Sequence, residues 1–331
     1  MPESRPSVLI TGANGFVGAR LCRAFASAGY QVCAGVRRTA DVSALDPQAV
    51  VFRYGDITHS EDLREMVAEV DYVVHNAGIV KAKSADAFTT VNVEGVRNVC
   101  RAVAEHNPQV KRVVLISSLA ACGPSLAGRP VREDDPPHPI TAYGRSKLAG
   151  EEAAMPFVDE LPLVVLRPSG VYGPGDKEVF AFFQSLNRHI RPCIGDTSRK
   201  LQLVHVDDVC RASLAACTSA VEPGRVYHIA EPRAYSLKEM IDILQRACGR
   251  WAIPLYLPSG LFRVIAAISE GVFRAVGATP MLTREKAGEL LAEWEVDVTR
   301  AREELGFVAQ VAFSRGAEET FAWYRRKGWL S

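Results

Sequence analysis

The chain lacks a dominant charge: 39 Lys and Arg stand against 38 Asp and Glu in 331 residues, a formal net charge of +1. That balance supplies no electrostatic footprint for nucleic acid or an acidic membrane. The eight cysteines form no Cys-x-x-Cys pair and no framework spacing, which points away from a disulfide scaffold and from a metal site. Several lie inside apolar runs, the pattern of reduced, buried thiols in a cytoplasmic protein. The opening residues, Met1 to Ser7, run directly into a strand pattern without an apolar signal region. A membrane-crossing run is also missing. The nearest candidate, Leu257 to Gly277, is interrupted by Arg263, Glu270 and Arg274, so no transmembrane segment is expected. Leu261, Ile265, Ile268, Val272 and Val276 recur in it at helical spacing. That periodicity predicts an amphipathic helix facing the core or covering a pocket, with attachment to a membrane surface as the other reading.

What is present is a core-forming chain, 48% apolar. Short β-branched runs begin at Ser7, Gln31, Val50, Tyr72, Arg112 and Leu163, and amphipathic stretches such as Ala19–Ala28, Ser60–Glu69, Asn92–His106 and Tyr143–Ala154 separate them. The runs carry consecutive apolar residues, as strands covered on both faces do. The alternation predicts an α/β fold: a doubly wound, parallel Rossmann sheet. After Gly173 the pattern loosens, and Val226–Ala230 reads as a strand returning to the sheet. Residues 1–172 plus about 202–230 are assigned to a nucleotide domain, and about 173–201 and 231–331 to a smaller, mostly helical C-terminal substrate cap.

Tyr143 and Lys147, four residues apart, fall on one helix face. An ammonium there is expected to favour the phenolate and so to make Tyr143 an acid/base for an alcohol or ketone. After the first run comes Gly12-Ala-Asn14-Gly15-Phe16-Val17-Gly18, leading into a helix pattern. Glycines at this spacing permit a tight turn and close backbone approach to a pyrophosphate at a helix N-terminus. The second run ends Val36-Arg37-Arg38, with no carboxylate before Asp41. NAD selection usually needs an acid at that point, whereas arginines suit a 2′-phosphate, so NADP is expected and NAD is the alternative. Asp56, beside Ile57, is positioned for the adenine amino group or for capping a helix before Ser60. Asn76-Ala77-Gly78 would let backbone lie against the cofactor.

These segments, with Ser117-Ser118, Arg167-Pro168-Ser169-Gly-Val171-Tyr-Gly-Pro-Gly175 and His205-Val-Asp-Asp-Val209, occur in the order found in the extended short-chain dehydrogenase/reductases, which the chain resembles over its first 210 residues. The resemblance implies that Ser118, with Ser117 as the adjacent alternative, hydrogen-bonds the substrate oxygen. Tyr143 would exchange a proton with that oxygen, and Lys147 would hold the nicotinamide ribose. Pro168, Ser169 and Val171 would line the nicotinamide end. It also implies that His205 and Asp207-Asp208 are structural.

Within that family three readings compete. Nucleotide-sugar members carry an arginine five residues before the valine of the His-Val-Asp-Asp-like segment, and here that position is Leu201, with Arg199 and Lys200 beside it. The segment Leu119-Ala-Ala-Cys122 has no carboxylate for dehydration. The apolar cap sequence and Pro280-Met-Leu-Thr-Arg284 resemble the 3β-hydroxysteroid dehydrogenase and dihydroflavonol reductase-like members. The expected function is therefore an NADP(H)-dependent oxidoreductase interconverting a secondary alcohol and a ketone on a small, hydrophobic carbonyl substrate. A nucleotide-sugar epimerase or reductase with retained NAD, or a non-catalytic NADP-binding regulator, are the alternatives. A homodimer through Asn92–His106 and Tyr143–Ala154 is the expected assembly.

Overall fold

The computed structural model describes residues 5–82, 84–126, 128–275 and 282–330. Val276, Gly277, Pro280 and Met281, on which two of the sequence expectations partly rest, lie outside the described residues.

Seven parallel strands form the central sheet. β1 (Ser7–Thr11), β2 (Gln31–Val36), β3 (Val50–Tyr54), β4 (Tyr72–His75), β5 (Arg112–Ile116) and β6 (Leu163–Pro168) follow in sequence, and Val226–Ile229 is the seventh. Their spatial order is seventh, β6, β5, β4, β1, β2, β3. β1 lies inside the sheet, between β4 and β2, with Thr11 opposite Gly35 on one side and His75 on the other. Its side chains alternate between two cores. Val8 and Ile10 pack with Leu21, Phe25, Val209 and Ala212, while Leu9 packs with Leu63, Val73, Val96 and Val103 on the opposite face. Both faces are covered, which explains why the strands read as unbroken apolar runs.

A third core belongs to the cap. Tyr172, Phe183, Ile241, Leu244, Phe313 and Tyr324 meet there, brought in by helices Glu178–Asn187, Leu237–Cys248 and Phe313–Arg326. Helix Leu237–Cys248 starts with a Ser236/Glu239 capping box and ends at left-handed Gly249. Fully buried Asp208 accepts the amides of Gln310 (2.7 Å) and Val311 (3.0 Å), anchoring the chain that leads into the last helix. His205 is also buried, edge-on to Tyr172.

Three elements depart from the sequence expectation. The helix expected over Ser60–Glu69 is a 3-10 turn (Ser60–Asp62) followed by one helical turn (Leu63–Val67). Ile253–Leu257, not anticipated, pairs in parallel with Ile190–Ile194. The helix expected from Leu257 starts at Ser259 and runs to Ala275. Its apolar stripe does not face the core: Leu261, Ile265, Ile268 and Val272 are exposed, and Phe262 and Ala266 are the buried side, packed with Ala287. No described helix is long and apolar enough to cross a membrane.

Candidate active site

The sheet reverses its winding between β1 and β4, and that switch point is where α/β sheets open a cleft. Thr11, the last residue of β1, is buried there. Its hydroxyl accepts the amides of Asn76 and Ala77, both at 3.1 Å, and lies 2.8 Å from His75 Nδ1. With two donors already on the oxygen, the hydroxyl proton goes to Nδ1, leaving the His75 proton on Nε2. Burial, reinforced by the charge of Lys147, pushes His75 down to about 3, so the ring is neutral.

Gly12 has φ +65°, and a Cβ on it would stand 2.8 Å from Ala77 Cα. The helix Phe16–Ser27 then starts at Gly15 with no side-chain cap and no acidic residue in its first turn. Its first amides, on Phe16, Val17 and Gly18, have no intrahelical partner, which is the feature that suits a helix start to an anion. Half-buried Asn14 lies in the same loop. Asn76 Nδ2 approaches the Gly12 carbonyl at 3.4 Å, and a Cβ on Gly78 would lie 3.8 Å from Lys147 Nζ.

Arg37 and Arg38 follow β2 and are exposed, with the Arg38 guanidinium 5.7 Å from the centre of the Tyr54 ring. Asp56 does not cap the Ser60 turn. Its Oδ1 accepts the Thr58 amide (3.0 Å) and hydroxyl (2.8 Å), a local Asx turn. Partial burial raises its pKa, but those bonds and the charge of Arg37 outweigh it and hold the carboxyl below its usual range. Ile57 is buried against Gly95, and its carbonyl accepts from Asn98 at 3.1 Å.

At the end of β5 the two serines separate in role. The Ser117 hydroxyl donates to Glu151, whose carboxylate is held bidentately by Arg167 (2.6 and 3.0 Å), all three residues being buried. The Ser118 hydroxyl accepts the Ala120 amide at 3.2 Å and hydrogen-bonds the Tyr143 side chain. Helix Ala142–Ala154 reaches this turn because a Cβ on Gly144 would sit 2.3 Å from the Ala120 carbonyl oxygen, so only glycine permits the approach. Ser118, Tyr143 and Lys147 thus come together at the carboxyl edge of the sheet, between the end of β5 and the loop that follows β4.

The electrostatics differ from the sequence expectation. Burial pushes the Tyr143 phenol up to about 12; the Ser118 hydrogen bond opposes this and the charge of Glu289 adds to it. Lys147 does not lower it. Burial brings Lys147 down to about 8 against the opposing charge of Glu151, and its ammonium donates to the Ile116 carbonyl at 2.7 Å. The phenol is therefore protonated at neutral pH.

Several groups here were not singled out from sequence. Asn92, buried in a single π-helical turn (Thr90–Glu94), bonds the backbone of Ile79 through both amide atoms and donates to Ser146 at 2.9 Å. Glu285, on helix Arg284–Leu291, accepts the Ala142 amide (2.7 Å) and pairs with Arg145 (2.6 Å), holding the cap over the Tyr143 helix. Glu151 lies four residues beyond Lys147 on the same helix face, a signal available in the sequence. Pro168 ends β6, Val171 is half-buried, and the buried Ser169 hydroxyl has no protein partner. Arg199 is turned into its own loop, donating to the carbonyl of Ile194 at 2.7 Å, while Leu201 is half-buried. No group of three or more metal-ligating side chains occurs among the described residues.

The model of the NAD-dependent epimerase/dehydratase family matches residues 8–230. The chain belongs to that family. It is accordingly an oxidoreductase-type enzyme dependent on NAD(P). Ceramide reductase of Caulobacter vibrioides is 29% identical over 99% of this chain and 97% of its own length. Sterol demethylase protein B of Methylococcus capsulatus is 27% identical over 98% and 100%. Among solved structures, gox2253 matches with a TM-score of 0.83 at 24% identity, covering 99% of this chain and 100% of that one. UDP-glucose 4-epimerase of Thermotoga maritima, solved with UDP-glucose, matches at 0.77 with 24% identity, over 97% and 99%. At these identities the structural likeness carries the fold alone.

Proposed function

We propose that this enzyme is a cytoplasmic NADP(H)-dependent reductase/dehydrogenase that interconverts a ketone and a secondary alcohol on a small apolar substrate. The observation that carries the reading is the protonated Tyr143 phenol, hydrogen-bonded to Ser118 one helical turn from Lys147. The uncapped helix start, left-handed Gly12 and partnerless Ser169 hydroxyl fit a dinucleotide. Gly12, Asn14, Gly15, Phe16, Val17 and Gly18 would hold its pyrophosphate, and Arg37 and Arg38 a 2′-phosphate. Asp56 and Ile57 would face the adenine, and Asn76, Ala77 and Gly78 the middle of the cofactor. Pro168, Ser169 and Val171 would flank the nicotinamide, with Tyr143 and Lys147 on its ribose. The bound cofactor supplies a hydride.

Ser118 would hold the carbonyl oxygen by a hydrogen bond. Tyr143 would pass its proton to that oxygen as the carbonyl carbon gains the hydride. The Ser118 hydrogen bond, which favours the charged form of Tyr143, would stabilise the phenolate left behind, and Lys147 would hold the nicotinamide ribose. A neutral phenol suits the reducing direction. The burial of Arg199 within its own loop, with Leu201 at the neighbouring position, supports an apolar substrate over a nucleotide sugar. So do the names of the ceramide and sterol relatives. Pairing of helices Gly95–His106 and Ala142–Ala154 between copies would make a homodimer. Tyr143→Phe tests the assignment: turnover should fall by about a hundredfold or more with NADPH affinity retained. Unchanged turnover would mean that Tyr143 is not the proton donor and would remove this chemistry.

A further inference from the structure

Helix Ser259–Ala275 and the strand before it leave their apolar side chains outside. Ile253, Leu255 and Tyr256 are 64, 58 and 73% exposed, and on the helix Leu261, Val264, Ile265, Ile268 and Val272 are between 41 and 61% exposed. Among the described residues of this helix, Phe262 and Ala266 are the fully buried ones, packed with Ala287. Scattered exposed apolar residues need no explanation, but this many along 21 consecutive residues, Ile253 to Phe273, mark an interaction surface.

The charge around that surface is one-sided, although the whole chain is nearly neutral. Residues 245–273 contain three arginines (Arg246, Arg250, Arg263) and one carboxylate, Glu270. Glu270 already accepts the Arg284 amide at 3.0 Å. Arg191, Asp242, Gln245, Arg246, Gly249 and Arg250 line an open concavity of about 460 Å³. Its carboxylate, Asp242, is held by Arg191 (2.6 Å) and Lys238 (3.0 Å). A second concavity, of about 310 Å³, shares Arg191 and Gln245 and extends to Lys238, Pro254 and exposed Tyr256. A cationic hollow therefore runs directly into an apolar edge.

We infer that this face of the cap docks on the surface of an anionic phospholipid bilayer. The Ser259–Ala275 helix would lie in the plane of the interface with its exposed stripe among the acyl chains. The hollow that Arg246 lines would receive headgroup phosphates. An exposed apolar stripe beside basic residues, on a helix too short and too charged to span, is the pattern of an interfacial helix. A second copy fits less well: a two-fold contact sets each patch against itself, bringing these arginines against their own images. The inference stands on the cap alone and does not depend on the assigned reaction.

The test is co-sedimentation of the full-length protein with vesicles of equal parts phosphatidylcholine and phosphatidylglycerol, compared with phosphatidylcholine alone, at low and high salt. Binding should require the anionic lipid and weaken with salt. The double variants Ile265→Glu/Ile268→Glu and Arg246→Glu/Arg263→Glu should each lose about tenfold or more in partitioning. NADPH titration and melting temperature should match wild type, showing that the cap remains folded. Wild-type protein left in the supernatant with both vesicles would overturn the inference, as would equal sedimentation of the Ile265→Glu/Ile268→Glu variant. A wild-type dimer that Ile265→Glu/Ile268→Glu makes monomeric, without vesicle binding, would assign the face to a second copy instead.

Discussion

Replacing Glu151 with Gln keeps the size of the side chain and removes one buried charge. In the wild type that carboxylate satisfies three groups: it accepts from Ser117, holds Arg167 bidentately, and offsets the burial of Lys147. The Arg167 and Glu151 side chains are 7 and 5% exposed, so solvent cannot replace the lost partner. Stranding one member of such a pair costs about 3–5 kcal/mol. With an unfolding entropy of about 2.1 cal/mol/K per residue over 331 residues, that loss lowers the melting temperature by about 4–7 °C. Lys147, without its opposing charge, falls further below about 8, so the basic limb of the pH–rate profile moves to lower pH. Calorimetry and a pH series of NADPH-dependent reduction read both effects. Glu151→Gln/Arg167→Met, which removes the pair without leaving a charge behind, should melt above Glu151→Gln alone. A melting temperature within about 1 °C of wild type, or a double variant as unstable as the two single losses combined, would refute the reasoning.

The remaining predictions concern the reacting groups and the cofactor. Lys147 is depressed from its unfolded value to about 8; its stability penalty is full below that pH and is lost as pH rises towards 10.5. Whatever stability Lys147→Met gains relative to wild type should therefore shrink between pH 7 and 10 in paired thermal melts. Activity of the wild type should decline above about pH 8 as the ammonium loses its proton. Arg37→Ala/Arg38→Ala should weaken NADPH by about tenfold or more while leaving NADH within about twofold, a charge-assisted phosphate bond being worth about 1.5–3 kcal/mol. Equal losses for the two cofactors would remove the 2′-phosphate assignment. Light scattering at micromolar concentration should give a dimer; a monomeric mass would dispose of the pairing of the Gly95–His106 and Ala142–Ala154 helices.

The strands were legible because burial on both faces writes itself as consecutive apolar residues, and Val8, Leu9 and Ile10 each enter a core. Glycine spacing announced the turn at Gly12 because only glycine accepts that φ against Ala77. Other features depend on distant chain. The Tyr143–Lys147 spacing was visible, but the sign of the phenol shift was not: burial decides it, and the charge of Glu289, a cap residue far along the sequence, adds to it. Ser117 and Ser118 could not be told apart until Glu151 was seen to accept from one and Tyr143 to meet the other. Periodicity found the Ser259–Ala275 helix, yet it reports only that a stripe exists. Whether anything covers Ile265 and Ile268 is a tertiary fact, and here nothing among the described residues buries them. The Ser60–Glu69 stretch broke early, with Asp62 accepting the Asp56 amide at 2.9 Å and Glu69 adopting φ 54°.

The central claim is an exchangeable NADP(H) held by Arg37 and Arg38 beside a protonated Tyr143. Titration of the purified protein with NADPH and NADH, followed by nicotinamide fluorescence after checking what co-purifies, tests it most directly. The account predicts reversible binding with preference for NADPH, lost in Arg37→Ala/Arg38→Ala and retained in Tyr143→Phe. Tightly retained NAD, indifferent to the arginine substitutions, would contradict it and make the internally recycling epimerase chemistry the better reading.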